Sequence, residues 1–122
     1  MIRILLVDDD EQFRSMLSES LRRAGYEVTE ACDGSEGTRL YRDRPSDLII
    51  TDLIMPEKEG LETIQEYRRS YSEVKIIAIS GGSRNSSVDF LKMAKALGAK
   101  RVVAKPFLRQ EFLDVVTQVL ES

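Results

Sequence analysis

Side chains with chemistry to offer stand where apolar runs stop. Ile4-Leu5-Leu6-Val7 stops on Asp8, Asp9 and Asp10, and Leu48-Ile49-Ile50 on Thr51-Asp52, with Pro56 four residues beyond. Ile76 to Ile79 stops on Ser80, and Arg101 to Ala104 on Lys105-Pro106. The chain contains no histidine, so imidazole is absent as ligand, general base or phosphoryl carrier. Carboxylates, hydroxyls and lysine remain. One Asp at a strand end often does no more than cap a turn; it is the combination that points to chemistry. If Asp8, Asp9 and Asp52 converge, they repel one another by roughly one to several kcal/mol per pair at intermediate dielectric, so the cluster calls for a cation. With only oxygen ligands on offer, a hard divalent ion fits, most simply Mg²⁺ that keeps several waters and stays open to a phosphate oxygen. Lys105, fixed by Pro106, adds a second positive charge, and Ser80 a hydroxyl donor. An ionised carboxylate needs no general base to attack phosphorus, and a metal with a lysine stabilises charge on the transferring group. The set suits an aspartyl phosphate, and Gly81 and Gly82 leave room beside Ser80 for an in-line donor or water.

The elements that must bring these residues together follow from periodicity. Leu48, Ile49 and Ile50 are apolar on consecutive positions, so neither face of that strand meets water, the pattern of a central parallel strand covered by helices on both sides. Residues 4–7 and 76–79 read the same way. Tyr26 to Ala31 mixes apolar and polar residues and Arg101 to Ala104 is short, so both belong at sheet edges. Between the strands the period turns helical. Phe13, Met16, Leu17 and Leu21 share a face between an N-cap at Asp10 and a stop at Gly25. Asp33-Gly34 opens a short helix with Leu40 and Tyr41 toward the core, ending before Pro45. Leu61 and Ile64 start a helix running to about Tyr71 after a loop from Met55 to Gly60. A helix over about 86–97 carries Val88, Phe90, Met93 and Leu97, more apolar surface than one buried stripe requires. Phe112, Val115, Val116, Val119 and Leu120 line the last helix.

Strand followed by helix five times predicts a parallel α/β sheet with right-handed crossovers and helices on both faces. Central strands one, three and four with short connections give the order 2-1-3-4-5, the doubly wound flavodoxin-like order whose switch point lies between strands one and three. Asp8, Asp9 and Asp52 meet there, at the carboxyl edge where ligands bind in open sheets.

Composition sets the outer bounds. The 122 residues fit one domain, with 42% hydrophobic and 32% charged residues and no apolar run long enough to span a membrane. A net charge of −3 without a basic run argues against direct nucleic-acid binding. Ile2, Arg3 and Ile4 lead straight into a strand, so no signal peptide is read and a cytoplasmic location is expected. Cys32 stands alone, which is consistent with a reducing compartment and a small structural role.

LLVDDD at 5–10, DLIITDLIMPEKEG at 47–60, IIAIS at 76–80 and VVAKPF at 102–107, in this order and spacing, resemble the receiver domains of two-component response regulators over nearly the whole chain. The resemblance implies Asp52 as phosphoryl acceptor, Asp8 and Asp9 as the acidic pair for Mg²⁺, and a backbone carbonyl ligand at Ile54. It implies a phosphate-binding hydroxyl at Ser80 and a phosphate-pairing Lys105. The donor it implies is a phosphohistidine on a sensor histidine kinase or a histidine phosphotransfer protein. Such a domain is a switch, modified once, and not an enzyme with steady turnover. Receivers commonly carry an aromatic residue three positions before the lysine, and this chain has Val102 there. The signal is therefore expected to leave through Ser80, Gly81 and Gly82 to the helix over 86–97, whose Phe90, Met93 and Leu97 suit a downstream protein or a second copy of the chain. Only 16 residues follow Pro106, so no output domain is expected.

Two other classes compete. A haloacid dehalogenase-type hydrolase also forms an aspartyl phosphate and opens with Asp-x-Asp, a spacing that Asp8 and Asp10 satisfy. Glu11-Gln12 replaces the Gly-Thr or Gly-Val usual after it, and the chain is short for that fold. A flavodoxin-like electron carrier would place flavin phosphate where three negative charges crowd here.

Overall fold

The strands pair in the order β2-β1-β3-β4-β5, all parallel. In chain order they are β1 (Arg3–Val7), β2 (Glu27–Ala31), β3 (Leu48–Asp52), β4 (Ile76–Ser80) and β5 (Arg101–Ala104). The described helices are α1 (Glu11–Arg23), α2 (Gly34–Asp43), α3 (Gly60–Ser70) and α4 (Arg109–Glu121). The computed structural model describes residues 1–52, 60–71, 74–80, 98–105 and 107–122. The loop expected from Met55 falls outside them up to Gly60, as does the helix expected over 86–97. None of the described helices is long and apolar enough to cross a membrane.

The two-residue period of the strands sorts the core into two layers. Leu5, Val7, Ile49, Ile76 and Ala78 point to one face, where Tyr41 of α2 and Ile64 and Tyr67 of α3 cover them. Their sequence neighbours Ile4, Leu6, Leu48, Ile50, Ile77 and Ile79 point to the other, under Leu17 and Leu21 of α1 and Phe112, Val116 and Val119 of α4. Every residue of β3 is buried, as its unbroken apolar run requires. The edge strands are wetter: in β5, Arg101 and Ala104 are exposed and Val102 and Val103 partly so.

Polar side chains close the turns that feed the sheet. Asp10 caps α1 by accepting from the Phe13 N–H at 3.1 Å, and Asp33 caps α2 by accepting from the Glu36 N–H at 2.8 Å. Gly25 ends α1 with φ +101°, the left-handed conformation that favours glycine. The Tyr26 N–H is still tied to the Leu21 carbonyl, so β2 begins at Glu27, one residue after the expected start. Leu40 is only partly buried while Tyr41 lies in the core.

Where α2 crosses β1, the backbone approach depends on Gly37. A Cβ there would lie 2.8 Å from Cγ2 of Val7 and 3.0 Å from the Tyr67 hydroxyl oxygen, both on buried residues. Overpacking of this kind costs roughly 1–3 kcal/mol, which outweighs the ~1 kcal/mol that alanine gains over glycine within a helix. Gly37→Ala should therefore lower the melting temperature; an unchanged or raised value would show that α2 can move off β1 without loss.

Candidate functional site

Adjacent strands bring the carboxylates together. Val7 of β1 is in register with Thr51 of β3, so the residues that follow, Asp8 and Asp52, leave the sheet side by side at its carboxyl edge. Carboxylate oxygens of Asp8, Asp9 and Asp52 all lie within 4.8 Å of one another. Asp8 is 1% exposed and Asp52 5%, while Asp9 is exposed.

Asp8 is held from several directions. Its N–H donates to the Ala31 carbonyl at 3.1 Å, and its own carbonyl accepts from Nη1 of Arg14 at 2.7 Å. Arg14 is itself anchored by an ion pair from Nε to Glu30 at 3.1 Å. One carboxylate oxygen, Oδ1, accepts from the Asp10 N–H at 2.9 Å. The other, Oδ2, is buried without a hydrogen-bond partner among the described residues and faces Nζ of Lys105 at 3.6 Å. Burial, the largest influence, pushes the Asp8 carboxyl up from 3.8 to about 6. The Asp10 N–H pulls it down, the Asp52 charge pushes it up, Lys105 pulls it down, and Asp9 pushes it up slightly.

Lys105, just past β5, stands 3.6 Å from Oδ2 of Asp52 as well. Its ammonium also lies 3.9 Å from the centroid of the Phe13 ring. Phe13 meets Phe107 edge to face at 5.9 Å, and Phe107 stacks on the buried Phe112 at 4.8 Å. Ser80 closes β4 opposite Ala104, which puts its backbone on the same edge; its side chain lies outside the description. Val102 is partly buried against the layer under α2 and α3. Ile54, Gly81, Gly82, Phe90, Met93 and Leu97 lie outside the described residues. Cys32, expected to have a small structural role, is exposed with a free thiol, and its backbone N–H donates to the Glu36 carboxylate.

Two contacts at the site were not read from the sequence. Helical spacing marks Phe13 as a core position, which conceals its contact with Lys105. The usable signal is that side chains in a first helical turn lean back toward the helix N-terminus, here toward the strand end that carries Asp8. Arg14 gave no local signal, because its partners come from β1 and β2.

Three carboxylates around a buried oxygen that lacks a hydrogen-bond donor form a donor set that fits a hard divalent cation. Among the described residues, the three clustered carboxylates would repel a flavin phosphate at this edge.

Similarity to known proteins agrees with this geometry. Residues 4–117 match the family model for the response regulator receiver domain. The chain is 35% identical over 98% of its length to the DNA-binding transcriptional regulator NtrC of Azospirillum brasilense, and spans 24% of that protein. It is 42% identical over 89% of its length to the uncharacterized transcriptional regulatory protein YrkP of Bacillus subtilis, spanning 45% of it. The chemotaxis protein CheY of Thermotoga maritima is 34% identical, with 96% of each chain covered. The crystal structure of the NtrX receiver domain from Brucella abortus superimposes with a TM-score of 0.91 at 26% identity, covering 98% of both chains. The haloacid dehalogenase alternative is not supported by these relationships. Carboxylates at a switch point, a lysine just past the edge strand β5 and a match over nearly the whole chain lead to one conclusion: the chain belongs to the family of response regulator receiver domains, the signalling switches of two-component systems.

Proposed function

We propose that this receiver takes a phosphoryl group onto Asp52 from a phosphohistidine of a sensor histidine kinase or histidine phosphotransfer protein, and that the modification changes its binding to a downstream protein. The observation that carries the reading is the position of Lys105, 3.6 Å from a carboxylate oxygen of both Asp8 and Asp52. In the transfer, an oxygen of Asp52 forms a bond to phosphorus as the phosphorus–nitrogen bond breaks. The electron pair of that bond stays on the imidazole, which takes up a proton. Lys105 offsets the charge on the phosphoryl oxygens, and the Ser80 hydroxyl donates to one of them. Asp8, Asp9, Asp52 and the Ile54 carbonyl would hold Mg²⁺, which when bound supplies charge neutralisation at the phosphoryl oxygens. The modification occurs once per donor encounter, without steady turnover, in the cytoplasm where such donors act.

The direct test is intact mass after incubation with Mg²⁺ and acetyl phosphate. The parent should gain one phosphoryl group and Asp52→Asn none; a variant that gains it as readily as the parent would put the acceptor elsewhere.

The route outward runs from Ser80 into residues 81–97, because Val102 lacks an aromatic ring to swing. Beryllofluoride, a phosphoryl mimic, should change amide exchange across 81–97 in the parent and in Val102→Ala, and leave it unchanged in Ser80→Ala. The opposite pattern would place the signal in β5, and would leave Phe90, Met93 and Leu97 without a role in binding a partner or a second copy.

Asp8 makes the metal-free protein sensitive to pH. Because its folded pKa is raised from 3.8 to about 6, the folded state holds more protons than the unfolded state in that window, and stability falls as pH rises through it. The shift is on the order of 3 kcal/mol, fully expressed above the folded value. Asp8→Asn, which keeps an oxygen for the Asp10 N–H, should melt higher than the parent at pH 7, with the difference shrinking toward pH 4. A difference that does not vary with pH would mean that the buried charge is not what destabilises the parent.

A further inference from the structure

We propose that Phe13 is a positioning residue for Lys105: its ring face fixes where the ammonium stands, and so how well Lys105 meets the phosphoryl group. This rests on the reading of Lys105 as the cation that engages that group.

A lysine ends in a compact charge on a flexible four-carbon stem, so its location has to be imposed by its surroundings. The two carboxylates impose it only loosely. At 3.6 Å each, the separations from Asp8 and Asp52 are longer than hydrogen bonds, and they attract the charge without directing it. Lys105 remains 21% exposed in its side chain, so solvent offers it alternatives. The Phe13 ring, with its centroid 3.9 Å from Nζ, presents the electron-rich face that draws a cation. That contact excludes water from one side of the ammonium and leaves its other side toward the carboxylates.

The ring itself is held firmly. Its backbone N–H is bound by Asp10, whose own N–H is bound by Asp8, so the residue that positions the lysine is tied through two hydrogen bonds to a carboxylate the lysine faces. On its outer side, Phe107 meets the Phe13 ring edge to face and stacks in turn on Phe112, which is fully buried under the sheet. Phe107 lies two residues after Lys105 in the chain, so the same short segment carries the cation and one of the rings that brace its support. The circuit Asp8, Asp10, Phe13, Lys105 closes on itself. An apolar residue needed only to fill the interface of α1 and α4 could be leucine without consequence for the lysine.

The test uses the full chain with three variants, Phe13→Leu, Phe13→Trp and Lys105→Met. In the metal-free parent, the ε-methylene protons of Lys105 should resonate upfield through the ring current of Phe13. Phe13→Leu should lose that shift and Phe13→Trp should retain one. With Mg²⁺ and acetyl phosphate, Phe13→Leu should slow phosphorylation of Asp52 by roughly three- to tenfold, the range expected for losing one partly exposed cation–π contact, and Phe13→Trp should restore it. In the Lys105→Met background, Phe13→Leu should have no further effect. An unshifted Lys105 in the parent, or an equal slowing by Phe13→Leu with and without the lysine, would overturn the proposal and leave Phe13 a packing residue. If Lys105→Met alone is phosphorylated and responds as the parent does, the functional reading of Lys105 falls first, and the proposal falls with it.

Discussion

Two carboxylates that share one buried edge of the sheet, with the ammonium of Lys105 facing both, are the constraint on which the rest of this structure depends. Asp8 and Asp52 leave neighbouring central strands side by side, each almost without solvent. Lys105 faces one oxygen of each, so among the described residues the cluster of Asp8, Asp9 and Asp52 carries more negative than positive charge. Ion pairs of this kind, partly buried and outnumbered by like charges, stabilise a fold poorly. The arrangement is one that added positive charge would stabilise, and it contributes little to the stability of the metal-free fold.

The surrounding fold keeps that unfavourable cluster in place by holding the backbone and leaving part of the side-chain charge unmatched. Asp8 is bound at its N–H by Ala31, at its carbonyl by Arg14 and at one carboxylate oxygen by Asp10. Arg14 in turn is braced by Glu30 on β2. β1 and β3 are packed on both faces by apolar side chains from helices, so the carboxylates cannot relieve their repulsion by moving the strands apart. The second oxygen of Asp8 is buried without a hydrogen-bond partner among the described residues, and it faces Lys105 at 3.6 Å.

Much of this was legible in the sequence because it depends on local pattern. Consecutive apolar residues at 4–7, 48–50 and 76–79 mark central strands, the mixed residues of 26–31 and the short run 101–104 mark the edges, and short connections then give the order of the sheet. The ends of the runs then place Asp8, Asp52 and Lys105 on one edge. What escaped reading depends on contacts between distant segments. The clamp of Arg14 joins α1, the end of β1 and β2, and no spacing announces it. Phe13 has a helical period that marks it equally well as core, and only the lean of a first-turn side chain separates the two roles. Gly37 looks like a poor helix residue until Val7 and Tyr67 are seen within 3.0 Å of where its Cβ would be.

The negative charge that is in excess at this edge among the described residues is proposed to be neutralised by a divalent cation. Titration of the purified chain with Mg²⁺, followed by calorimetry and by the amide resonances of residues 8–10, tests it most directly. One Mg²⁺ per chain should bind saturably, with the shifts confined to the carboxyl edge and binding weakened strongly when Asp8 or Asp52 is made Asn. No saturable binding, or binding that survives both substitutions, would contradict that proposal.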